Sequence, residues 1–215
     1  MKIAVFDVCG TLYDSNTTFD FLDDYFKNDK KYSLFRKFSK SLPGKLFNYP
    51  FYRFFKYDIV RIIATGFLKG SNEDELNLAT KIFVYEQLEN KIKKDMHKLL
   101  LEYKEKGFTI VLMSGSYSMI IEHVSDYVDA NNLFASELEV IEGKYTGKYS
   151  SDQLFNKKEV LLEKYPNITE LIVVSDNRTD YELMKEADKG YAVCNKPKQV
   201  LFWESKNLAH VEIVN

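Results

Sequence analysis

The 215-residue sequence contains few of the residues that form covalent or zinc-based cross-links. Its only two cysteines, Cys9 and Cys194, exclude a disulfide framework and a CxxC metal pair. The three histidines are widely spaced and form no HxxxH or HExxH pattern, which argues against a zinc site. These scarcities indicate a chain that folds around a hydrophobic core in a reducing environment.

Long apolar runs are also missing. No uncharged segment reaches the roughly 18 residues that a transmembrane helix needs, so we expect no transmembrane segment. The apolar run from Ile3 to Phe6 is too short for a signal peptide and is interpreted as the start of a strand. We therefore expect a cytoplasmic protein.

A large net charge is absent as well, since the formal total is −2. By itself this value predicts no nucleic-acid partner. The distribution is uneven, however. Residues 27–69 contain 11 Lys or Arg against two acids, a local charge of +9, so the remainder carries −11. The hydrophobic and charged fractions, 45% and 29%, are typical of a folded globular chain.

Short apolar runs alternate with segments of helical periodicity over much of the chain. This alternation predicts an α/β fold with a doubly wound parallel sheet. The predicted strands are KIAVFD at 2–7, FTIVLM at 108–113, ELIVVS at 170–175 and, more weakly, GYAVCN at 190–195. Helical patterns cover 91–106, 118–128 and 179–187.

Residues 14–88 interrupt this alternation. They show helical spacing of apolar residues and several helix breakers but no alternating strand pattern, which predicts an inserted helical subdomain. We interpret the aromatic segment 47–67 as the core of this subdomain in preference to a membrane-binding face. Residues 138–149 resemble a β-hairpin that turns near Gly143.

Small polar or acidic residues follow three of the predicted strands. They are Asp7, Ser114-Gly115, and Ser175-Asp176 with Asp180 four residues later. Ligands of parallel sheets bind outside the carboxyl ends of the strands, so we expect these side chains to converge there. Carboxylates that converge repel one another unless a cation lies between them, and an oxygen-only site suits Mg²⁺.

Four motifs carry a resemblance to a known family. FDVCGTLYD (6–14), VLMSGS (111–116), VVSDNRTD (173–180) and YAVCNKP (191–197) resemble, in order and spacing, motifs of the haloacid dehalogenase-like hydrolases. The placement of the insert is similar to that of the phosphoserine-phosphatase-like subfamily IB, with a helical cap after the first motif. The resemblance implies a Rossmann-like core, residues 1–13 and 89–215, and a helical cap, residues 14–88.

The resemblance also implies a Mg²⁺-dependent phosphomonoester hydrolase with an aspartyl-phosphate intermediate. Asp7 would be the nucleophile, and Ser114 would hydrogen-bond a phosphoryl oxygen. Asp176 would bind Mg²⁺ together with Asp7 and the backbone carbonyl of Cys9. Asp180 would support the metal and orient a lysine.

That lysine lies in NKKEVLL, where Lys157 is preferred because Leu161 follows four residues later, and Lys158 is the alternative. Thr11 and Gly115, within the first and second motifs, are predicted to contact the substrate. Arg53 and Arg61 of the basic segment are predicted to do the same, because their charge complements a small anionic phosphate ester.

Two residues depart from the family pattern. Cys9 stands where the family has a second aspartate that protonates the leaving group and then activates water, so we expect slow turnover on poor leaving groups. Asn16 stands where phosphoserine phosphatases have a glutamate that holds the substrate's ammonium group, which disfavours phosphoserine.

Two other functions remain open at this stage. With Cys9 the chain could be a catalytically degenerate module that binds phosphate or a membrane surface. A 2-haloacid dehalogenase is the third possibility, although those enzymes lack the acid that corresponds to Asp176. The sequence does not determine the oligomeric state.

Overall fold

A seven-stranded sheet in the order β4-β3-β2-β1-β5-β6-β7 forms the centre of the computed structural model, which describes residues 1–214. All neighbouring strands pair in parallel except β3 and β4. The strands are β1 Lys2–Phe6, β2 Thr109–Tyr117, β3 Asn132–Ile141, β4 Lys144–Ser151, β5 Glu170–Ser175, β6 Lys189–Val193 and β7 Val211–Val214. The predicted α/β fold with a doubly wound parallel sheet is confirmed.

The central strands are apolar on both sides because helices cover both faces of the sheet. In β1, Ala4 and Phe6 contribute to one hydrophobic cluster, and Ile3 and Val5 contribute to the cluster on the opposite face. Side chains alternate between the two faces of a strand, so a strand covered on both sides is a continuous apolar run. This is why KIAVF is a buried parallel strand.

The described residues also form ten α-helices. They are α1 Thr17–Tyr25, α2 Lys30–Lys40, α3 Leu42–Phe55, α4 Ile59–Gly66, α5 Glu73–Ile82, α6 Lys94–Glu105, α7 Ser118–Val128, α8 Lys157–Lys164, α9 Tyr181–Glu186 and α10 Pro197–Glu204. A π-helical turn, Phe83–Leu88, follows α5. All the named elements between residues 14 and 88 are helical, as the residue spacing predicts.

Short polar side chains set the starts of the five helices α1 to α5. Each helix is preceded by an Asn, Asp or Ser whose side-chain oxygen accepts a hydrogen bond from a backbone N–H of the first turn. These N-caps satisfy donors that a helix start leaves without partners. The capping residues are Asn16, Asp29, Ser41, Asp58 and Asn72.

The structure modifies two expectations about individual segments. The hairpin is present as β3 and β4, but its strands extend beyond 138–149, and β7 was not predicted. The interpretation of segment 47–67 as cap core is wrong for its first half, because Phe54 and Phe55 are each 73% exposed. Within α4, in contrast, Val60 and Ala64 are buried, as a core position requires.

Over residues 1–214, none of the helices combines the length and the apolar character needed to cross a membrane.

Candidate active site

The predicted polar residues meet at the carboxyl edge of the central strands. Asp7 directly follows β1, and its backbone N–H donates to the carbonyl of Val174 in β5 at 2.9 Å. Pairing between β1 and β2 ends at Phe6 and Leu112, so Ser114 lies beyond the part of β2 that pairs with β1. The chain leaves β1 toward β2 on one side of the sheet and returns to β5 on the other, which makes this edge the topological switch point.

Lys157 occupies the centre of the group. It is the first residue of α8, its side chain is only 4% exposed, and its Nζ donates to Asp7 Oδ1 at 3.0 Å and to Asp180 Oδ2 at 2.7 Å. Lys158, the alternative, instead donates to Glu186 at 2.6 Å. The structure therefore places Lys157, and not Lys158, between the two carboxylates.

The charges of this group perturb one another strongly. Burial raises the pKa of Asp7 to about 7, against the opposing effect of Lys157, and Asp180 and Asp176 raise it further. Burial lowers the pKa of Lys157, but Asp180 and Asp7 outweigh burial and raise it overall. The ammonium group is thus held in its charged form between two acids.

Asp180 is fixed by a second contact, because the hydroxyl of Ser175 donates to the same Oδ2 at 2.6 Å. Both acceptor contacts of this oxygen are charge-assisted, and the residue is buried. Asp180 therefore holds the ammonium group of Lys157 next to Asp7 in the structure, and its supporting role in catalysis stays a prediction.

Asp176 lies in a close-fitting cradle. Gly10 has a φ of +70°, and a Cβ at this position would lie 2.4 Å from Asp176 Oδ2, so the loop requires glycine. Asn195 Nδ2 and Gln199 Nε2 each donate to that oxygen at 3.3 Å. Neither residue was predicted as part of the site; the available signal for Asn195 was its place at the end of the predicted strand 190–195 and within the motif YAVCNKP.

Thr11 differs from its predicted role. Its side chain is fully buried, and its Oγ1 accepts a hydrogen bond from the backbone N–H of Asp176 at 2.9 Å. This contact ties the loop after β1 to the loop after β5. Thr11 therefore supports the position of Asp176. Because its side chain is fully buried, it is not accessible to a substrate in this structure.

Cys9 is next to the other predicted catalytic residues. Its Sγ lies 2.9 Å from Thr17 Oγ1 and 3.8 Å from Ser114 Oγ. Burial raises the pKa of the thiol, and the charge of Asp7 raises it further. Because the thiolate is disfavoured, Cys9 is a neutral thiol at neutral pH.

The two arginines that were predicted to contact the substrate behave differently. Arg61 is 4% exposed, and its two terminal nitrogens donate to the Gly115 carbonyl and to the Asp152 carboxylate. Arg53 is exposed on α3, and its side chain makes no hydrogen bond with any other residue of 1–214. Arg61 thus connects α4 to Gly115 in β2 and to Asp152 after β4, whereas the structure does not bring Arg53 to the site.

The proposed metal ligands provide only part of a coordination shell. Within residues 1–214 no three His, Cys, Asp or Glu side chains form a group that could hold a metal ion by themselves. The predicted set consists of two carboxylates and the backbone carbonyl of Cys9. Burial raises the pKa of Asp176 as it does that of Asp7, and neighbouring acids raise both further, so holding both carboxylates in their charged form requires more positive charge than Lys157 supplies. An all-oxygen set of this kind fits a hard divalent cation that keeps several waters.

Comparison with known proteins supports the same family. The sequence model described as "haloacid dehalogenase-like hydrolase" matches residues 4–185. A phosphoserine phosphatase of Methanocaldococcus jannaschii is 28% identical over 102 residues, which cover 45% of this chain and 48% of the relative. A phosphoserine phosphatase of Lactococcus lactis subsp. lactis is 29% identical over 131 residues, covering 56% and 58%.

The chain thus spans about half the length of the curated relatives that it matches. A solved structure of a protein with unknown function from Bordetella pertussis Tohama I is similar over 99% of this chain and 97% of that one, with a TM-score of 0.78 at 15% identity. This likeness shows a shared fold. Because the family match spans most of its length, the chain belongs to the haloacid dehalogenase-like hydrolases.

Proposed function

We propose that this protein hydrolyses small anionic phosphomonoesters through an aspartyl-phosphate on Asp7. The observation that carries the proposal is the buried Lys157 ammonium, which bridges Asp7 and Asp180 at the carboxyl edge of the sheet. The family and the similarity to phosphoserine phosphatases support the same reaction class.

The chemistry follows from the charge distribution. A carboxylate oxygen of Asp7 would attack phosphorus and displace the ester oxygen, and water would then cleave the acyl phosphate. The equatorial phosphoryl oxygens carry negative charge in the transition state, so preorganised donors supply most of the catalysis. Lys157 and the hydroxyl of Ser114 are such donors in this chain.

Mg²⁺ belongs to the proposal. Asp7, Asp176 and the backbone carbonyl of Cys9 would hold the ion, which would supply positive charge next to the phosphoryl oxygens. Gly10, Asn195 and Gln199 would keep the carboxylate of Asp176 in position, as they do through the contacts described above.

The turnover rate that we propose depends on the thiol of Cys9. With its raised pKa the thiol is a poorer proton donor to a leaving group than a carboxylic acid, and because it stays protonated at neutral pH it offers little base to activate water. Esters of acidic alcohols have good leaving groups that need no such proton. The loss of rate caused by Cys9 should therefore be smallest for these esters. We therefore propose slow turnover of alkyl phosphates.

The substrate is proposed to be an anionic ester without a required ammonium group. Asn16, at the position of the substrate-holding glutamate, is exposed and caps α1 by accepting from the backbone N–H of Phe19 at 3.2 Å. An amide carries no charge and gives an ammonium group no ion pair. Phosphoserine is therefore not the proposed substrate.

A panel of phosphomonoesters, assayed for phosphate release with Mg²⁺, tests the proposal. We expect turnover that Asp7→Asn abolishes and that EDTA abolishes reversibly. A rate no higher than that of Asp7→Asn across the panel would overturn the hydrolase and favour the phosphate-binding alternative that Cys9 suggests. Chloride release from 2-chloropropionate that survives EDTA would instead indicate a dehalogenase.

A further inference from the structure

The helices α2 and α3 present a large apolar surface to solvent. Eight of their aliphatic or aromatic side chains are strongly exposed, and we call them together the α2–α3 face. They are Leu34, Phe38, Leu42, Leu46, Phe47, Tyr49, Phe54 and Phe55, and their exposed fractions range from 45% to 73%. Contiguous exposed apolar surfaces of this kind mark interaction sites.

Helix α3 is anchored to the protein along one side only. Gly44 lies against α2, where a Cβ would meet the Phe38 carbonyl oxygen at 2.1 Å, and Asn48 Nδ2 donates to Asp58 at 3.1 Å. One turn further, the ring of Tyr52 packs edge-on against Phe155 with the centroids 5.2 Å apart. The spacing of these three residues is that of a single helix face. Apart from Phe55, which shares this face at its C-terminal end, the exposed apolar residues of α3 are therefore on its other sides and take no part in the core.

All charged side chains in the segment that contains α2 and α3 are positive. Residues 30–57 contain eight Lys or Arg and no Asp or Glu. Arg36 and Lys40 form ion pairs with Asp23. The other six form no ion pair with any residue of 1–214, and they are Lys30, Lys31, Lys37, Lys45, Arg53 and Lys56.

We propose that the α2–α3 face docks on an anionic lipid bilayer. A bilayer offers negative headgroups above an apolar layer, and the α2–α3 face offers exposed Phe, Leu and Tyr side chains among unpaired cations. Long lysine side chains can reach the headgroups while the neighbouring aromatic rings enter the interface. A second copy is a poorer occupant, because face-to-face pairing would oppose six unpaired cations with six more.

Vesicle co-sedimentation of the full chain, without any substrate, tests the docking. The vesicles are phosphatidylcholine alone and phosphatidylcholine mixed with phosphatidylserine. We expect binding to the mixed vesicles that weakens as salt is raised, and little binding to phosphatidylcholine alone. Equal binding to both compositions, or to neither, would overturn the proposal without affecting the proposed hydrolysis.

Two variants of exposed residues locate the surface. K37Q/K45Q/K56Q should weaken binding on the order of 100-fold, and F54S/F55S should weaken it on both compositions. The matched controls K94Q/K98Q/K164Q and L101S/L201S change other exposed side chains, on helices away from this face, and should bind as the wild type does. Equal losses in the controls would overturn the assignment to this face. A concentration-dependent dimer that F54S/F55S abolishes, with no vesicle binding, would assign the face to a second copy.

Discussion

Cys9 is the residue at which this chain departs most from its family, and its contacts suggest a direct test. The thiol lies between Thr17 and Ser114 and remains protonated because burial raises its pKa. Cys9→Asp would supply a carboxylate for both proton transfers. General acid–base catalysis contributes about 10²–10⁴-fold, so we expect a gain of about 10²-fold in kcat on an alkyl phosphate with Mg²⁺.

The gain should be much smaller on p-nitrophenyl phosphate, whose leaving group needs no protonation. Cys9→Ser is the control, because a hydroxyl preserves the size and the hydrogen bond to Thr17 but adds no base. Equal rates for Cys9→Asp and the wild type on the alkyl phosphate would contradict this role of Cys9.

The raised pKa of Asp7 predicts how the stability of the protein depends on pH in the presence of EDTA. Its pKa is raised from an ordinary 3.8 to about 7, first by burial, so the folded protein binds the proton more tightly than the unfolded chain does. The stabilisation is complete below pH 4 and is lost as pH rises through about 7. We expect the free energy of unfolding, measured in urea at a series of pH values, to fall over this range relative to that of Asp7→Asn. A constant difference between the two proteins would contradict the raised pKa.

The identity of the site residues was largely predictable, since most lie in short motifs directly after strands. The preference for Lys157 depended on the position of Leu161, which is fully buried in the structure. The role of Thr11 was not predictable, because its partner is the backbone of Asp176, 165 residues away. Such a contact depends on how two loops meet and leaves no local pattern.

At the scale of elements, Arg61 links helix α4 to Gly115 in β2 and to Asp152 directly after β4, and it should contribute strongly to stability. Arg61→Met would remove the cation paired with the Asp152 carboxylate and would leave the Gly115 carbonyl with the Ser136 hydroxyl as its remaining side-chain donor. We expect a loss of about 2 kcal/mol in the free energy of unfolding, measured with urea.

Arg53→Met is the matched control for this substitution, since the same change is made on an exposed arginine of the neighbouring helix. Its free energy of unfolding should stay within about 0.5 kcal/mol of the wild type. If both variants lose the same stability, the contacts of Arg61 with Gly115 and Asp152 do not stabilise the packing of α4.

Prediction of the elements was best where the apolar pattern was long. Helix α7 was predicted with its observed bounds, Ser118–Val128, because six of its residues are buried on one face. Strand β7 was missed because Val211–Val214 is short, pairs only with β6 and is only partly buried. The exposure of Phe54 and Phe55 was also missed, since an aromatic run has the same composition in a core and on a surface.

At the scale of the whole molecule, the uneven charge relates the α2–α3 face to the site. Helix α3 has exposed apolar side chains on its outer sides, and Tyr52 on its inner side approaches the site. Burial, then Asp58 and Asp180, raise the pKa of Tyr52 to about 12. The ring of Tyr52 packs against Phe155, two residues before Lys157, so a bilayer bound to α2–α3 would lie near the segment that carries Lys157.

This arrangement predicts a difference between two kinds of substrate. The rate on a long-chain alkyl phosphate carried in phosphatidylcholine–phosphatidylserine vesicles should fall on the order of 100-fold in K37Q/K45Q/K56Q, because the enzyme no longer gathers at the surface. The rate on soluble p-nitrophenyl phosphate should not change, since none of the three lysines contacts the catalytic group. K94Q/K98Q/K164Q should match the wild type on both substrates. Equal losses of rate on the two substrates would mean that the lysines act on the site itself. No loss of rate on either substrate would show that docking does not affect turnover.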